Sequence, residues 1–498
     1  MLFTSSEFLF VFLPLVLTIF FTFARRSKAL ALTWLSASSL FFYGWSNPGY
    51  VCLLIASIAF NYIIGYGMQM TRKRGINSSM LMVVGVTADL CLLGFYKYLF
   101  FFSTAVNSLL DTSFSLPNFI LPLGISFFTF TQIAFLVDVH RGQVVDLNFG
   151  KYFLFVTYFP HLIAGPIIHH KGMMHQFGKP SIFKANWNNF VIGLTLFSIG
   201  LAKKLILADT FANFSAPGFL TASLGDVPSA AITWVSVISY TFQIYFDFSG
   251  YSDMAVGISR LLGIQLPVNF RSPYKSINII EFWRRWHMTL SEFLRDYLYI
   301  SLGGNRLGSS RRYINLILTM MLGGLWHGAN STFLVWGTLN GAYLCINHGW
   351  HQISTKFLIS KKVPSTAGRF VSVSLTFTAV AIAWIFFRAD TIGSALLMFQ
   401  GFFSNSGFDQ WHLTFSATQS IQLGILLVMT LLIVWGLPSP YDWLSAESEG
   451  VMMPPARVLE INQKYSLALP IGICILMLAS LCAKFGPASI SPFLYFQF

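Results

Sequence analysis

Residues 314–343 read INLILTMMLGGLWHGANSTFLVWGTLNGAY, and His327 is the one ionisable side chain in the run before Tyr343. Such a run is longer than the roughly 20 apolar residues that cross a bilayer. An imidazole placed inside it is costly unless it has a partner or faces a cavity, so its default reading is functional. Gly323, Gly324 and Gly328 flank it. Glycines there suit close helix packing or close approach of a substrate. If the segment is helical throughout, Asn330 and Ser331 fall on the histidine's face, three and four residues on. They could then orient the ring or help hold an oxyanion. The structural alternative is a buried histidine tied to a carbonyl on a neighbouring helix.

Working outward, the whole chain has the same texture. Of 498 residues, 55% are hydrophobic, 17% aromatic and only 10% charged. A soluble domain has about a quarter of its residues charged. Too few charges remain to cover a wet surface, so lipid must solvate much of this chain. Apolar stretches recur from 8–24 through 464–483, some of them short or broken. They predict an all-α polytopic membrane protein with about 11 spans, plus re-entrant and interfacial amphipathic helices around a central cavity. The net charge is +13, and its placement carries the information. Arg25, Arg26 and Lys28 follow the first apolar segment, and Arg72, Lys73 and Arg74 follow the third, whereas the turn at 46–50 is uncharged and that at 107–118 holds only Asp111. This alternation predicts an N-terminus outside and basic loops in the cytoplasm. No basic stripe interleaved with aromatics sits on a soluble stretch, which argues against nucleic acid as a partner. Glu7 stands where a cleavable signal would be basic, so the first apolar segment is expected to stay as a span. The five cysteines, Cys52, Cys91, Cys345, Cys474 and Cys482, lie in apolar runs without metal or redox spacing and read as small packers.

No linker or fixed-period repeat divides the chain, and 1–498 reads as a single membrane domain. Residues 1–110 form plain hydrophobic hairpins suited to a scaffold wall. Between 120 and 345, polar, charged, Gly and Pro residues interrupt the apolar runs, at 122–126, 161–166, 247–253 and 323–330. Broken helices with polar content are tolerated at membrane depth only where protein or a watery cavity surrounds them. The catalytic core is therefore expected there. Residues 360–498 return to plain spans around one wet loop at 438–464.

Three other constellations stand out in the core. On a continuous helix over 279–300, Glu281, Arg284, Arg285, Glu292, Arg295 and Asp296 fall within one arc of about 120°. Trp283, Trp286, Leu290, Phe293, Leu294 and Tyr297 then occupy the other side, together with His287. That pattern predicts an interfacial amphipathic helix. Arg284 or Arg285 could meet a phosphate of an acyl donor, although a solvated or headgroup-facing role is simpler. Asp247 and Asp253 lie in the largely apolar stretch 243–253 and need partners: one could pair with an arginine or orient a histidine in a relay, or the pairing could be a purely structural ion pair. Pro160 and Pro166 break the helix around His161, which could cap the freed backbone groups instead of reacting. His169, His170 and His175 cluster in a basic loop with no carboxylate or cysteine beside them in sequence, so no metal is expected. The chain has no Gly-x-Ser-x-Gly elbow, Walker A lysine motif or Gly-x-Gly-x-x-Gly. That argues against a serine hydrolase, a nucleotide-driven pump and a dinucleotide enzyme.

These motifs together resemble the membrane-bound O-acyltransferase family, specifically its bacterial polysaccharide branch. The matching stretches are 122–127, 158–166, 245–253, 281–306 and 322–330, and WRRWH with RDYLYISLGGNR and GGLWHGAN are the specific ones. The terminal Phe496-Gln497-Phe498 also looks like that branch. The resemblance implies two signature positions, which map by motif onto His327 and His287, with Trp326, Asn330, Asp247, Asp253, Arg284 and Arg285 as supporting candidates. It further implies transfer of an acyl group, acetyl from acetyl-CoA or another acyl thioester, toward hydroxyls of an exported polysaccharide, and no permanently bound cofactor. The implied setting is a bacterial inner membrane with the N-terminus in the periplasm. Implied partners are a periplasmic acetyltransferase or other polymer-modification proteins. A subunit that only carries the acyl donor across the membrane, as a transporter or flippase, would also need a polar cavity in broken helices.

Overall fold

In lipid every backbone N–H and C=O must be satisfied within the chain, which a helix does by itself. The computed structural model follows that rule. It describes residues 1–111, 121–144, 147–356, 365–404, 411–444, 468–485 and 493–494, and every regular element among them is helical. The turn expected at 107–118 lies mostly outside the described residues, as do most of the wet loop at 438–464 and Phe496–Phe498.

Five helices among the described residues are long and apolar enough to cross a membrane: Gly49–Lys73, Ser79–Thr104, Trp187–Ser223, Thr366–Arg388 and Ala417–Gly436. Shorter apolar helices stand at Phe8–Ala24, Ile125–His140, Ile392–Gly401 and Ile475–Lys484. The chain is thus a polytopic membrane protein. Cys52, Cys91, Cys345 and Cys482 are free thiols.

The chain folds into two compact units interleaved along the sequence. One comprises Met1–Gly200, Tyr251–Val268 and Leu444–Ile475. In it the helix Ile125–His140 is buried almost all round, as expected of a helix at the centre of a bundle. Small residues let its neighbours approach. A Cβ on Gly65 would come within 2.8 Å of the Phe135 ring, and one on Gly85 within 2.6 Å of Leu136. The hairpins of 1–110 are less plain than their hydropathy. Asn61 donates to the buried Asp89 at 2.8 Å, Gln132 donates to Ser57 at 2.9 Å, and the Tyr152 hydroxyl donates to Gln132 at 3.2 Å. The carboxylate of Asp89, inside an apolar helix, is thereby given one amide partner, as buried polar groups require.

The other unit comprises Leu201–Gly250, Asn269–Trp443 and Leu476–Phe498. Its backbone is the hairpin of Ser309–His327 and Ser331–Lys356. Glycine makes this hairpin possible. A Cβ on Gly324 would strike the Phe333 carbonyl, one on Gly337 the Met320 carbonyl, and one on Gly341 would sit 2.8 Å from the Ile317 Cα. Of the glycines flanking His327, expected to serve close packing or substrate approach, Gly324 packs against the facing helix. Gly337→Val should destabilise the fold by about 1–3 kcal/mol or more, lowering folded yield and melting temperature, because backbone cannot move aside as a side chain can. Gly349→Ala on the same helix, with nothing within 4 Å, should change little, and detergent melting curves of the two variants check the contrast.

Candidate active site

The segment 279–300 is not the continuous amphipathic helix its arc of charges suggests. Two short helices, Ile279–Trp283 and Met288–Phe293, are separated by a break, and His287 sits at the break in the left-handed region with φ 42° and ψ 53°. That conformation costs a non-glycine residue about 1–2 kcal/mol and persists only where the surroundings hold it. The consequence is positional. His287 leaves the charged and aromatic arcs altogether and is completely buried, at 0% exposure. The aromatic side of the predicted arc does pack inward, with Trp283 against Trp336 at 5.9 Å and Trp286 against Trp384 at 5.0 Å between ring centroids.

His327 is the last residue of its helix, and the next residue, Gly328, is extended. Gly328 is needed by space, since a Cβ there would run into the Phe333 ring. The helix end corrects the premise that Asn330 and Ser331 share the histidine's helical face. Asn330 instead holds the turn: its amide nitrogen donates to the Asp390 carbonyl at 2.7 Å and its oxygen accepts from the Thr332 N–H at 3.1 Å. Asn330→Ala should therefore cost about 1 kcal/mol, as loss of a helix-start cap does. Melting and turnover measured together should show activity changing only a few-fold.

The two imidazoles meet, with ring centroids 6.4 Å apart. Around His327 stand Trp326 at 4.9 Å, Trp336 at 5.1 Å and Phe387 at 5.2 Å. Around His287 stand Phe248 at 4.7 Å and Trp326 at 6.1 Å. Trp326 therefore borders both rings. The Nδ1 of His287 lies 3.4 Å from the Asn269 side-chain oxygen. Burial pushes the His287 imidazole from its ordinary value of 6.5 down to about 3, so at neutral pH it is uncharged. The two imidazoles are thus walled by indole and phenyl rings.

Not every candidate joins this pair. Asp247 is buried and bound by Lys204 at 2.6 Å, while Lys204 also meets Asp209 at 2.9 Å. The Leu494 N–H donates to the second Asp247 oxygen at 3.0 Å. Asp247 is thus held by a lysine and a backbone N–H, as a structural ion pair and not by an arginine or a histidine. Asp253 is buried, at 1% exposure, in the other compact unit. Arg285 is paired with Glu281 at 2.8 Å, as the spacing predicts, and donates to the Arg271 carbonyl at 3.3 Å. Arg284 is exposed. Arg295 pairs with its neighbour Asp296 at 2.6 Å. In the first unit the His161 Nε2–H donates to the Phe155 carbonyl at 2.8 Å, the backbone-capping role foreseen for it. His170 pairs with Asp138 at 3.0 Å. Among the described residues no group of three or more His, Cys, Asp or Glu side chains could hold a metal ion.

Sequence reasoning missed Lys204, although a lysine within the apolar run 188–208 is the kind of signal that flagged His327. It also missed Asn269, Trp336 and Phe387, whose roles depend on how the chain returns to the histidines.

Among the described residues the chain is helical throughout, has helices long and apolar enough to cross a membrane, and buries two neighbouring imidazoles among aromatic rings. The model of the membrane-bound O-acyltransferase family matches residues 76–363. The chain belongs to that family and is an acyltransferase. It is 37% identical to the probable alginate O-acetylase AlgI of Azotobacter vinelandii, over 100% of both chains. It is 40% identical to a peptidoglycan O-acetyltransferase of Helicobacter pylori, over 84% of this chain and 83% of that one. A teichoic acid D-alanyltransferase of Streptococcus thermophilus is 28% identical over 59% of this chain and 71% of its own length.

Proposed function

We propose that this protein takes acetyl from a cytoplasmic thioester, acetyl-CoA, and moves it toward hydroxyls of an exported polysaccharide, with His327 as the base. The observation that carries the reading is the buried His287–His327 pair, 6.4 Å apart, in a chain of this family. As the hydroxyl oxygen bonds to the acyl carbon, its proton passes to the imidazole of His327. The carbon–sulfur bond then breaks, and the proton leaves with the thiolate. A neutral imidazole is suited to both steps near pH 7. With the Asn330 amide engaged at Asp390, a backbone N–H of the 328–330 turn is the better candidate for holding the tetrahedral oxyanion. His287 positions the reacting group. Asp247 supports the site at a distance through its Lys204 bond, and Arg284, exposed shortly before His287 in sequence, is available to a donor phosphate or a lipid headgroup.

The acceptor follows from the relatives. Full-length similarity to alginate O-acetylases and similarity to a peptidoglycan O-acetyltransferase both favour a hydroxyl of an exported glycan, reached directly or through a periplasmic acetyltransferase. A bacterial inner membrane location with a periplasmic N-terminus fits the basic turns at Arg25–Arg26 and Arg72–Arg74. The test is a rapid quench in cold denaturing detergent at neutral pH, where an acyl-imidazole survives, of the full chain in nanodiscs turning over radiolabelled acetyl-CoA. Label in the acceptor with none on the denatured protein supports the base. Label retained on His327 would replace it with an acyl-imidazole carrier, and no label transfer at all would favour a donor transporter.

A further inference from the structure

The polarity of His287 can be read from its neighbours. The Asn269 side-chain oxygen accepts from the Thr289 hydroxyl at 2.7 Å and the Thr289 backbone N–H at 3.3 Å, and His287 Nδ1 lies 3.4 Å from the same oxygen. Which end of the Asn269 amide faces this cluster is settled by the Thr289 N–H, which can only donate and so requires the oxygen. The Asn269 backbone carbonyl takes the Met288 N–H at 3.0 Å. Asn269 thus binds the two residues after His287 and holds the left-handed turn from both its main chain and its side chain. A bare Nδ1 would point its lone pair at the oxygen's lone pair, a repulsion that Nδ1–H turns into attraction. In a neutral imidazole a proton on Nδ1 leaves the lone pair on Nε2.

We propose that Asn269 is a positioning residue that fixes His287 as the Nδ1–H tautomer, so that His287 offers a lone pair at Nε2 and accepts a hydrogen bond from a non-reacting hydroxyl of the acceptor beside the one His327 deprotonates, not from the thioester, whose carbonyl oxygen has no hydrogen to give. The inference rests on the reading of His287 as part of the site, and it assigns that histidine to the acceptor side. A carbonyl oxygen is an acceptor and gains nothing from a second lone pair, whereas a sugar hydroxyl matches it. Asn269 therefore acts on substrate choice through His287, without touching the substrate itself.

The experiment uses the full chain in lipid with nitrogen-labelled histidine, His287 being assigned by the signal lost in His287→Gln. The expected spectrum has Nδ1 protonated and Nε2 bare. In Asn269→Leu, which keeps the bulk but cannot accept, the tautomer should redistribute. Turnover should then fall about 10- to 100-fold, as when the partner orienting a histidine is lost, with the KM for the host's own polymer, stripped of O-acetyl by mild base, raised and the KM for acetyl-CoA unchanged. Asn269→Asp, which keeps an oxygen at the same place, should preserve the wild-type tautomer and most of the acceptor KM. A protonated Nε2 in the wild type would overturn the proposal, and so would a rise confined to the acetyl-CoA KM. If His287→Gln turned over at the wild-type rate, the role of His287 in the site would fail while the tautomer measurement still decided the part played by Asn269.

Discussion

His327→Gln is expected to lower acetyl transfer about 100- to 10,000-fold, the range that a positioned general base contributes, while the melting curve stays near that of the wild type. Glutamine keeps a polar side chain of similar reach among Trp326, Trp336 and Phe387, but it cannot take a proton at neutral pH. The loss should appear in kcat, because the interaction removed is one made as the proton moves and not when substrate first binds. Initial rates with acetyl-CoA in nanodiscs, alongside thermal unfolding of the same preparations, separate a missing base from a misfolded protein. A variant that transfers acetyl at the wild-type rate would remove His327 from the chemistry.

The largest stability effect is expected at Lys204→Met. Lys204 lies between Asp247 at 2.6 Å and Asp209 at 2.9 Å, and its side chain is only 1% exposed. Two buried carboxylates would lose their cation, and breaking a buried pair in this way costs about 3–5 kcal/mol. Phe493, whose ring lies 4.7 Å from the Lys204 ammonium, and Leu494, bonded to Asp247, would lose the same anchor. Folded yield and melting temperature should drop sharply. The triple variant Lys204→Met, Asp209→Asn, Asp247→Asn should recover much of the loss, because replacing all the charges removes the desolvation cost along with the attraction. A single variant as stable as the wild type would show that the lysine contributes nothing to the fold.

The membrane class of this chain was legible from composition alone, because 10% charged residues cannot clothe a wet surface. His327 was legible for a related reason: one imidazole in an apolar run stands out whatever surrounds it. His287 was marked by its motif, but its placement was not. A helical projection put it on the aromatic arc of one long helix, and only the left-handed backbone at φ 42° turns it inward to meet His327. Periodicity presumes a regular helix and cannot see a break that tertiary contacts, here Asn269 with Thr289, hold in place. Asn330 failed for the same reason, since its assignment needed the helix to run through Gly328. Glycine at 324, 328 and 337 could be read from sequence as small, but whether it served packing or substrate depended on which backbone lay opposite.

The central claim, acetyl transfer to an exported polysaccharide through His327, is tested most directly by the O-acetyl content of that polymer. Polysaccharide and peptidoglycan from a deletion strain should be analysed by mass spectrometry after complementation with the wild-type chain or with His327→Gln at matched protein levels. The account predicts that O-acetyl disappears from one polymer in the deletion strain, returns with the wild-type chain and stays absent with His327→Gln. Full O-acetylation restored by a stably produced His327→Gln chain would contradict it.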